Sequence, residues 1–227
     1  MNVKLISYSQ APSYPTQKDV MIHSVRSQSA LDLIAYCARV SNPSNQNNRE
    51  TSEKLVKYLI KHKHWSPLEM VSACMEIETT RDIARQILRH RSFSFQEFSQ
   101  RYADPTNDLD FVIREPRLQD PNNRQNSIPT DNSSLHTVWE IMQKRVIEEA
   151  KAAYQWAIDM GIAKEQARAV LPEGNTVSRM YMNGTLRSWV HYIELRGANG
   201  TQQEHMDIAL ACAKVISEIF PLDIMHD

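Results

Sequence analysis

The sequence predicts an α+β fold in which a small antiparallel sheet is flanked by several helices. Residues 71–78 alternate apolar with polar side chains, which is the period of a half-buried strand, and residues 3–8 suggest a second strand. Much of the remaining chain carries apolar side chains at helical spacing. Because 227 residues with 41% hydrophobic content can bury one sizeable core, we expect a single domain over residues 1–227.

Three helices are expected in the first half of the chain. Two cover about residues 30–40 and 52–62. The third follows the strand at 71–78, where Thr79 and Thr80 offer an N-cap. Its apolar stripe and its basic side are formed, respectively, by Ile83, Ala84, Ile87 and Leu88 and by Arg81, Arg85 and Arg89.

The second half of the chain begins with a polar stretch. Residues 104–135 are rich in Asp, Asn, Pro and Ser and poor in apolar anchors, so we expect a long surface insertion. A long helix follows and stops at Gly161, which suits a C-cap. The apolar stripe of this helix is expected to lie either in the core or in a subunit interface. It comprises Val138, Ile141, Met142, Val146, Ala150, Ala153, Tyr154 and Ala157.

Three further helices complete the expected fold. A short one carries Arg168 and is ended by Pro172, and another begins at Thr185. In that second helix the side chains expected to face inward are Leu186, Trp189, Val190 and Ile193. The last helix covers about residues 203–219, with a buried stripe of Met206, Ala209, Leu210, Ala213 and Ile216.

The most informative segment lies between Arg81 and Arg101. It holds five arginines, no lysine and one histidine, in a chain whose formal net charge is only −1. A guanidinium binds phosphate or carboxylate in a bidentate way and stays charged at every physiological pH. The segment therefore predicts an anionic ligand held in a defined pose. Residues 92–99, which mix hydroxyls, an amide and a carboxylate with apolar anchors, are expected to form a ligand-lining loop or an extended segment.

Several classes of site are disfavoured by composition. All five glycines lie at or beyond Gly161, so the first two-thirds of the chain has no Gly-rich phosphate loop, and a bound dinucleotide would rest on arginines, histidines and helix ends. Three widely spaced cysteines favour neither a disulfide framework nor a zinc site. His62 and His64 lack a third placed ligand, so no metal is expected. The absence of a signal-like or membrane-spanning stretch predicts a cytoplasmic protein without membrane contact.

The arginine segment also resembles a known family signature. Arg89-His90-Arg91, seven residues and then Ser99, with Glu97 before it and Arg101 after, is similar to the signature of flavin-dependent thymidylate synthases. Further blocks resemble the same family in the same order, from about residue 30 to 205: residues 38–41, 64–69, 167–172, 186–188 and 194–196. The chain departs from the pattern at Gln96, where asparagine is usual, and near Gly200, where histidine is usual.

The resemblance implies reductive methylation of dUMP to dTMP. Methylenetetrahydrofolate would supply the carbon, reduced FAD the hydride, and NADPH would reduce the flavin again. Arg196 would be the catalytic residue, because a guanidinium against the uracil stabilises negative charge that develops on the imide. The residues implied for dUMP are Gln86, Arg89, Glu97, Phe98, Ser99, Gln100, Arg101, Arg168 and Arg196.

The resemblance likewise implies a flavin site and an assembly. The implied FAD residues are Ser41, His64, Ser66, Glu69, Arg89, His90, Arg91, Gln96, Glu97, Thr185, Arg187 and His191. The family forms homotetramers with active sites shared between subunits. The wide separation of the arginine blocks at 89–101, 168 and 196 is compatible with such sharing.

Other interpretations of single residues are open. Ser99 could be a nucleophile, but its neighbours Phe98 and Gln100 offer no base, so binding is favoured. His90 could be a core histidine, although its flanking arginines make full burial costly and favour a flavin contact. Arg89 and Arg91 could form surface ion pairs, but few acidic residues lie nearby.

Two other classes of protein compete with the enzyme. Arginines followed by Phe93, Phe95, Phe98 and Tyr102 could stack bases and grip phosphates, as in a nucleic-acid-binding protein. The near-neutral overall charge argues against that class and against a nucleic-acid partner. A helical scaffold whose arginines only bridge subunits would leave the spacing of the signature unexplained.

Overall fold

A four-stranded antiparallel sheet lies at the centre of the computed structural model, which describes residues 1–10 and 29–220. The six strands of the described residues are β1 (Asn2–Tyr8), β2 (Ser72–Thr80), β3 (Ser94–Glu97), β4 (Arg117–Gln119), β5 (Ser127–Pro129) and β6 (Val177–Thr185). In the main sheet the order is β1-β2-β6-β3, while β4 and β5 form a separate hairpin. The α+β class and the small antiparallel sheet are therefore confirmed.

The helices agree closely with the apolar periodicity of the sequence. They are α1 (Ala30–Ala38), α2 (Ser52–Lys61), α3 (Arg81–Ile87), α4 (Pro105–Asp108), α5 (Ser133–Asp159), α6 (Lys164–Ala167), α7 (Leu186–Arg196) and α8 (Gln203–Ile219). Short 3-10 turns cover Pro43–Asn45, Ser66–Glu69 and Arg168–Val170. Helix α1 starts with a complete capping box, in which Ser29 and Asp32 each bond the other's backbone N–H.

Strand β2 confirms the alternation that predicted it. Ala73, Met75 and Ile77 are buried, while the residues between them are half-exposed. Its partner β6 was not predicted from the sequence, although Met180 and Met182 alternate there with exposed or half-exposed residues. The alternation in β6 is weak because the other buried positions hold serine and glycine.

The core lies between one face of the sheet and the helices α1, α2, α3, α7 and α8. Trp189 of α7 is fully buried, and its indole N–H donates to the carbonyl of Ala73 at 3.0 Å, which joins that helix to β2. The ring of Phe93 lies against Gly184, where a Cβ would come within 2.4 Å of the ring. Glycine at this point of β6 thus lets the aromatic ring pack on the sheet.

The long helix α5 has two different halves. Its C-terminal half buries Tyr154 and Ala157 in a small second cluster with Ala167 and Leu171. The N-terminal half instead exposes a stripe formed by Val138, Trp139, Ile141, Met142 and Val146. The sequence left core and subunit interface open for the predicted stripe. Of its members, the monomer buries Ala150, Tyr154 and Ala157, whereas Ala153 is exposed. Gly161, with φ +78°, follows the helix in the left-handed conformation of a C-terminal cap.

The polar stretch 104–135 carries α4 and the β4–β5 hairpin and is tied to the rest of the chain. The amide of Gln143 on α5 donates to the carbonyl of Arg114 at 2.8 Å and accepts from its N–H at 2.9 Å. Arg117 of β4 forms an ion pair with Glu204 at the start of α8. These contacts fix the hairpin beside the N-terminus of α8.

Candidate active site

Helix α3 ends where α7 and α8 meet, and this is where the predicted catalytic arginine lies. Arg196, the last residue of α7, donates from Nε to Nε2 of His90 at 2.9 Å. An arginine side chain is always a donor, so the accepting nitrogen of His90 carries no proton. The sequence placed these two residues 106 positions apart, and the fold brings them into direct contact.

The surroundings of His90 keep its ring neutral. Burial, followed by the positive charges of Arg196 and Arg89, lowers the pKa of His90 below its usual value. A neutral ring with an unprotonated Nε2 carries its proton on Nδ1, which leaves one N–H donor toward a ligand. The ring also meets Tyr192 edge-on, with centroids 4.9 Å apart. His90 is therefore half-buried and held in place from two sides.

Gln86, one turn earlier on α3, is held by α8. Its Nε2 donates to Oε1 of Gln202 at 2.8 Å, and its Oε1 lies 3.3 Å from Nδ1 of His205. His205 is fully buried, and burial, Arg196 and His90 lower its pKa to about 4. Neither Gln202 nor His205 was predicted as a site residue. His205 carried no separate signal because it falls on the apolar stripe of an amphipathic helix.

Two of the arginines implied for dUMP, Arg101 and Arg168, lie together elsewhere. Arg101 lies 3.5 Å from a carboxylate oxygen of Glu165, and Nε of Arg168 donates to the backbone carbonyl of the same residue at 3.3 Å. More than half of the Arg101 side chain is exposed, so this ion pair is weak and can yield to a stronger anion. The fold thus gathers a pair of accessible guanidinium groups.

The residues beside Arg101 form a tight turn. The hydroxyl oxygen of Ser99 accepts the Arg101 N–H at 3.4 Å, and no histidine bonds it among the described residues. Gln100 is buried, and its amide nitrogen has no partner within the same ranges. Phe98 donates its backbone N–H to the carbonyl of Arg179 at 2.8 Å, which ties the turn to β6. A binding role for Ser99 is consistent with this geometry, since nothing beside it would take its proton.

Glu97 is engaged by the protein itself. Its two oxygens accept from Arg85 at 3.0 Å and from Ser178 at 2.8 Å, and Arg81 lies 3.8 Å away. Arg81, which the sequence placed on the basic side of α3, is nevertheless buried, because Glu97 and Glu173 both lie against its guanidinium group. This cluster joins β3, β6 and α3.

A third group of predicted residues surrounds the start of α7. Thr185 caps this helix by accepting the N–H of Ser188, and Arg187 forms an ion pair with Glu69. His191 meets Trp65 edge-on, with centroids 4.5 Å apart. Ser66 begins the 3-10 turn that carries Glu69. The ring of His64 meets Tyr58 edge-on, with centroids 6.1 Å apart, and is tilted against His62 at 6.3 Å.

Four predicted flavin residues are exposed and separate from that group. Arg89 and Arg91 have no carboxylate within ion-pair distance in residues 1–10 and 29–220. Gln96 is exposed on edge strand β3, opposite Tyr181. Ser41 lines a cavity of about 570 Å³ between α1 and α2. No hydrogen bond or ion pair in the described ranges joins the Arg196, Arg101 and Arg187 groups to one another.

The residues implied for FAD have side chains that suit a dinucleotide with phosphates and an aromatic ring system. Arg89 and Arg91 are exposed cations without acidic partners among the described residues, which suits the negative charge of a pyrophosphate. The N-terminus of α7 adds backbone N–H groups next to Arg187, and Trp65 and His191 provide flat apolar surface. All five glycines lie outside this set, so no Rossmann turn is involved.

Other classes of site find no support in the described residues. No group of three or more His, Cys, Asp and Glu side chains there could hold a metal ion. In the same ranges, no helix combines the length and the apolar character needed to cross a membrane. The three cysteines are all free, and Cys212 is buried in the core.

Comparison with protein families gives one match over most of the chain. The family model described as "Thymidylate synthase complementing protein" matches residues 24–222. A probable flavin-dependent thymidylate synthase of Paramecium bursaria Chlorella virus 1 is 49% identical over 197 residues, which are 85% of this chain and 88% of that protein. The flavin-dependent thymidylate synthase of a Synechocystis strain is 49% identical over 83% of this chain and 85% of its own length.

Solved structures show the same fold at lower identity. The UMP/dUMP methylase PolB from Streptomyces cacaoi, in a crystal structure with 5-Br dUMP, matches with a TM-score of 0.78. The match covers 97% of this chain and 91% of that one at 24% identity. At this identity the likeness supports the arrangement of strands and helices.

Proposed function

Since this chain belongs to the flavin-dependent thymidylate synthases, we propose that its residues bind dUMP and FAD as the family signature implies and convert dUMP to dTMP. The family match over residues 24–222 is the observation that carries this function. Methylenetetrahydrofolate and NADPH are the co-substrates of this reaction. The high identity to the viral and cyanobacterial proteins, over more than four-fifths of the chain, supports a shared activity.

Arg196 is the residue that we assign to activation of the uracil. Its guanidinium group stays charged, and its bond to His90 uses only Nε, so the two Nη groups are left for a ligand. A guanidinium beside the imide stabilises the negative charge that develops there as the ring carbon attacks the electrophile. His90 fixes the direction of the guanidinium plane, because its neutral ring accepts from that nitrogen.

The nucleotide is held by two separate groups of residues. Gln86 and Arg89 lie at the C-terminal end of α3, near Arg196 of α7. Arg101 and Arg168 contact Glu165, and Ser99 and Gln100 directly precede Arg101. We assign the phosphate chiefly to Arg101 and Arg168, because these exposed guanidinium groups have only weak protein partners. Phe98 and Glu97 complete the set, and Glu97 acts from within its cluster with Arg81 and Arg85.

The flavin is assigned to exposed polar residues around α7 and α3. Bound FAD in its reduced form supplies the hydride that no side chain can donate. Arg89 and Arg91 would pair with its pyrophosphate and His90 would offer its Nδ1–H. The remaining members of the set are Ser41, His64, Ser66, Glu69, Gln96, Glu97, Thr185, Arg187 and His191.

A homotetramer with shared sites is part of this proposal. The Arg196 and Arg101 groups have no polar contact with each other in the described residues, so one site can combine the first group from one subunit with the second from another. The exposed apolar stripe of α5 supplies a surface that such an assembly would cover. We place the enzyme in the cytoplasm, as the sequence suggested.

The function is tested by incubating the purified protein with FAD, NADPH, methylenetetrahydrofolate and dUMP. We expect dTMP to form and NADPH to be oxidised only when all four are present. Omitting dUMP or the folate should abolish dTMP formation. A protein that binds FAD but makes no dTMP under these conditions would contradict the proposal. A colourless protein that takes up no FAD and binds RNA instead would support the nucleic-acid alternative.

A further inference from the structure

A chain of polar side chains connects the β4–β5 hairpin to Gln86. Arg117 of β4 donates from Nη2 to Oε1 of Glu204 at 2.5 Å. The other carboxylate oxygen, Oε2, accepts from Nε2 of Gln202 at 2.9 Å. The free end of that amide, Oε1 of Gln202, accepts from Nε2 of Gln86 at 2.8 Å. The chain thus ends on a residue that we assign to the nucleotide.

His205 and Tyr192 extend the chain beyond Gln86. Oε1 of Gln86 lies 3.3 Å from Nδ1 of His205, and Nε2 of this histidine lies 3.2 Å from the hydroxyl of Tyr192. Both rings are buried, and the histidine is neutral at neutral pH because burial and the charge of Arg196 lower its pKa to about 4. We call the five side chains from Glu204 to Tyr192, namely Glu204, Gln202, Gln86, His205 and Tyr192, the relay.

The charge of Glu204 determines the direction of every bond in the relay. An ionised carboxylate only accepts, so Gln202 must turn its NH₂ toward Glu204 and its carbonyl toward Gln86. Gln86 must then turn its NH₂ toward Gln202 and its carbonyl toward His205. The ring is left to donate from Nδ1 and to accept the Tyr192 hydroxyl at Nε2. Burial raises the pKa of Glu204, but a hydrogen bond from its own backbone, the hydrogen bonds from Arg117 and Gln202 and the charge of Arg117 together lower it below its usual value, so this direction holds at neutral pH.

We propose that Glu204 is a positioning residue for the nucleotide: through Gln202 it determines which end of the Gln86 amide faces the substrate. After its two relay bonds, Gln86 retains one N–H and one oxygen lone pair for a ligand. If the amide turns over, its free N–H and its free oxygen lone pair exchange places. A ligand whose donor and acceptor matched one orientation then faces the Gln86 N–H with its donor and the Gln86 oxygen with its acceptor. The inference rests on the proposed function, because dUMP as the ligand of Gln86 belongs to it.

The variant Glu204→Gln changes the direction of the hydrogen bonds in the relay while the packing of the side chain is kept. The new amide has the same shape and can accept from Arg117 while donating to Gln202. Gln202 would then donate to Gln86, Gln86 to Nδ1 of His205, and the ring would carry its proton on Nε2. Every neighbouring pair in the relay keeps a hydrogen bond, so the fold is retained while the Gln86 amide turns over. Glu218→Gln, on the exposed side of the same helix, is the matched control.

Nitrogen NMR of the histidine rings tests the direction of the relay without any substrate. The wild-type protein should show His205 protonated on Nδ1, and Glu204→Gln should move the proton to Nε2. A His205→Gln variant identifies the signal among the eight histidines of the chain. A wild-type ring protonated on Nε2, or an unchanged ring in Glu204→Gln, would overturn the relay. The wild-type spectrum alone suffices for this test if the variant does not fold.

Titration with dUMP tests the consequence for the nucleotide. Glu204→Gln should bind dUMP about ten-fold more weakly or worse, while its FAD content equals that of wild type and of Glu218→Gln. If the His205 proton moves to Nε2 in Glu204→Gln but the affinity for dUMP is unchanged, the positioning role of Glu204 is overturned. Failure of the wild-type protein to bind dUMP would instead contradict the proposed function, and the two failures are distinguishable because the NMR signal needs no ligand.

Discussion

The two ends of the arginine-rich segment differ in how many of their polar side chains already have firm partners within the protein. At the end near Gln86 and His90, the side chains bond α7 and α8, two of the rings nearby are fully buried or nearly so, and the direction of each hydrogen bond is determined. At the end near Arg101, the protein partners of the Arg101 and Arg168 guanidinium groups are a single weak ion pair and a backbone carbonyl.

This difference indicates a division of labour between precise geometry and charge. The closed end, around Arg196, is preorganised, which is what stabilisation of a transition state requires. The open end offers guanidinium groups whose partners a phosphate can replace at small cost, because exposed ion pairs contribute only about 0–1 kcal/mol. The comparison therefore predicts that substitution of Arg196 at the closed end chiefly reduces turnover and that substitutions of the arginines at the open end chiefly reduce affinity.

The largest effect is expected for Arg196→Lys. An ammonium group lacks the planar fork and the Nε–H that His90 accepts, so the charge on the imide loses its preorganised partner. We expect kcat to fall by about 100-fold or more while the protein still folds and binds dUMP. Steady-state kinetics, together with a dUMP titration, measure the two separately. Wild-type turnover in this variant would remove the activating role of Arg196.

A smaller effect, on binding, is expected for Arg168→Ala. Loss of one charge-assisted contact to the phosphate should weaken dUMP by about 10- to 100-fold. Deoxyuridine, which has no phosphate, is the control ligand, because its affinity should be the same in wild type and variant. An equal loss of affinity for both ligands would contradict the phosphate assignment and indicate a structural defect instead.

Ser99→Ala should have a still milder effect at the same end. The hydroxyl can contribute one neutral hydrogen bond to the nucleotide, so affinity for dUMP should fall by about three- to ten-fold, with kcat largely retained. Complete loss of turnover with intact dUMP binding would support the nucleophile hypothesis for Ser99. Steady-state kinetics at saturating dUMP separate these outcomes.

Acid should destabilise the folded protein through the closed end, which is an effect on stability and not on the activity at neutral pH. His205 has a pKa of about 4 in the folded protein and an ordinary pKa of 6.5, so the unfolded chain takes up a proton first as the pH falls. The stability from its neutral ring is present above about pH 6.5 and is lost as the pH falls toward 4. Denaturant unfolding at a series of pH values measures this slope, with His62→Gln, an exposed ring, as the control. A flat profile across this window would contradict burial of a neutral His205.

Much of the fold could be predicted from periodicity, whereas one central strand could not. Helix α8 has the predicted bounds, and β2 has the predicted alternation, because in both most of the buried positions hold apolar side chains. Of the stripe predicted for α8, Ala209, Ala213 and Ile216 are buried, whereas Met206 and Leu210 are only half-buried. Strand β6 buries Ser178 and Gly184 beside its two methionines, so its period-2 signal is weak. Only the pairing with β2 and β3 shows that it lies inside the sheet.

The candidate site divides in the same way. The signature that spans Arg89–Arg101 indicated which residues to examine, but its spacing could not show that Arg196 touches His90 or that Glu97 is held by Arg81 and Arg85. The relay was missed because glutamine and histidine carry no periodic signal, and their roles depend on contacts between residues more than 100 positions apart. Whether these residues bind dUMP and FAD is still a prediction.

A subunit-mixing experiment tests whether the two ends of one site come from different subunits. Arg196→Lys and Arg168→Ala are each prepared separately, mixed, unfolded and refolded together, and assayed at low dUMP. If the ends are shared, roughly a quarter of the sites in mixed tetramers combine two intact halves, so activity should rise well above that of either parent. Activity no higher than the mean of the two parents, in samples shown to contain mixed oligomers, would contradict the shared site.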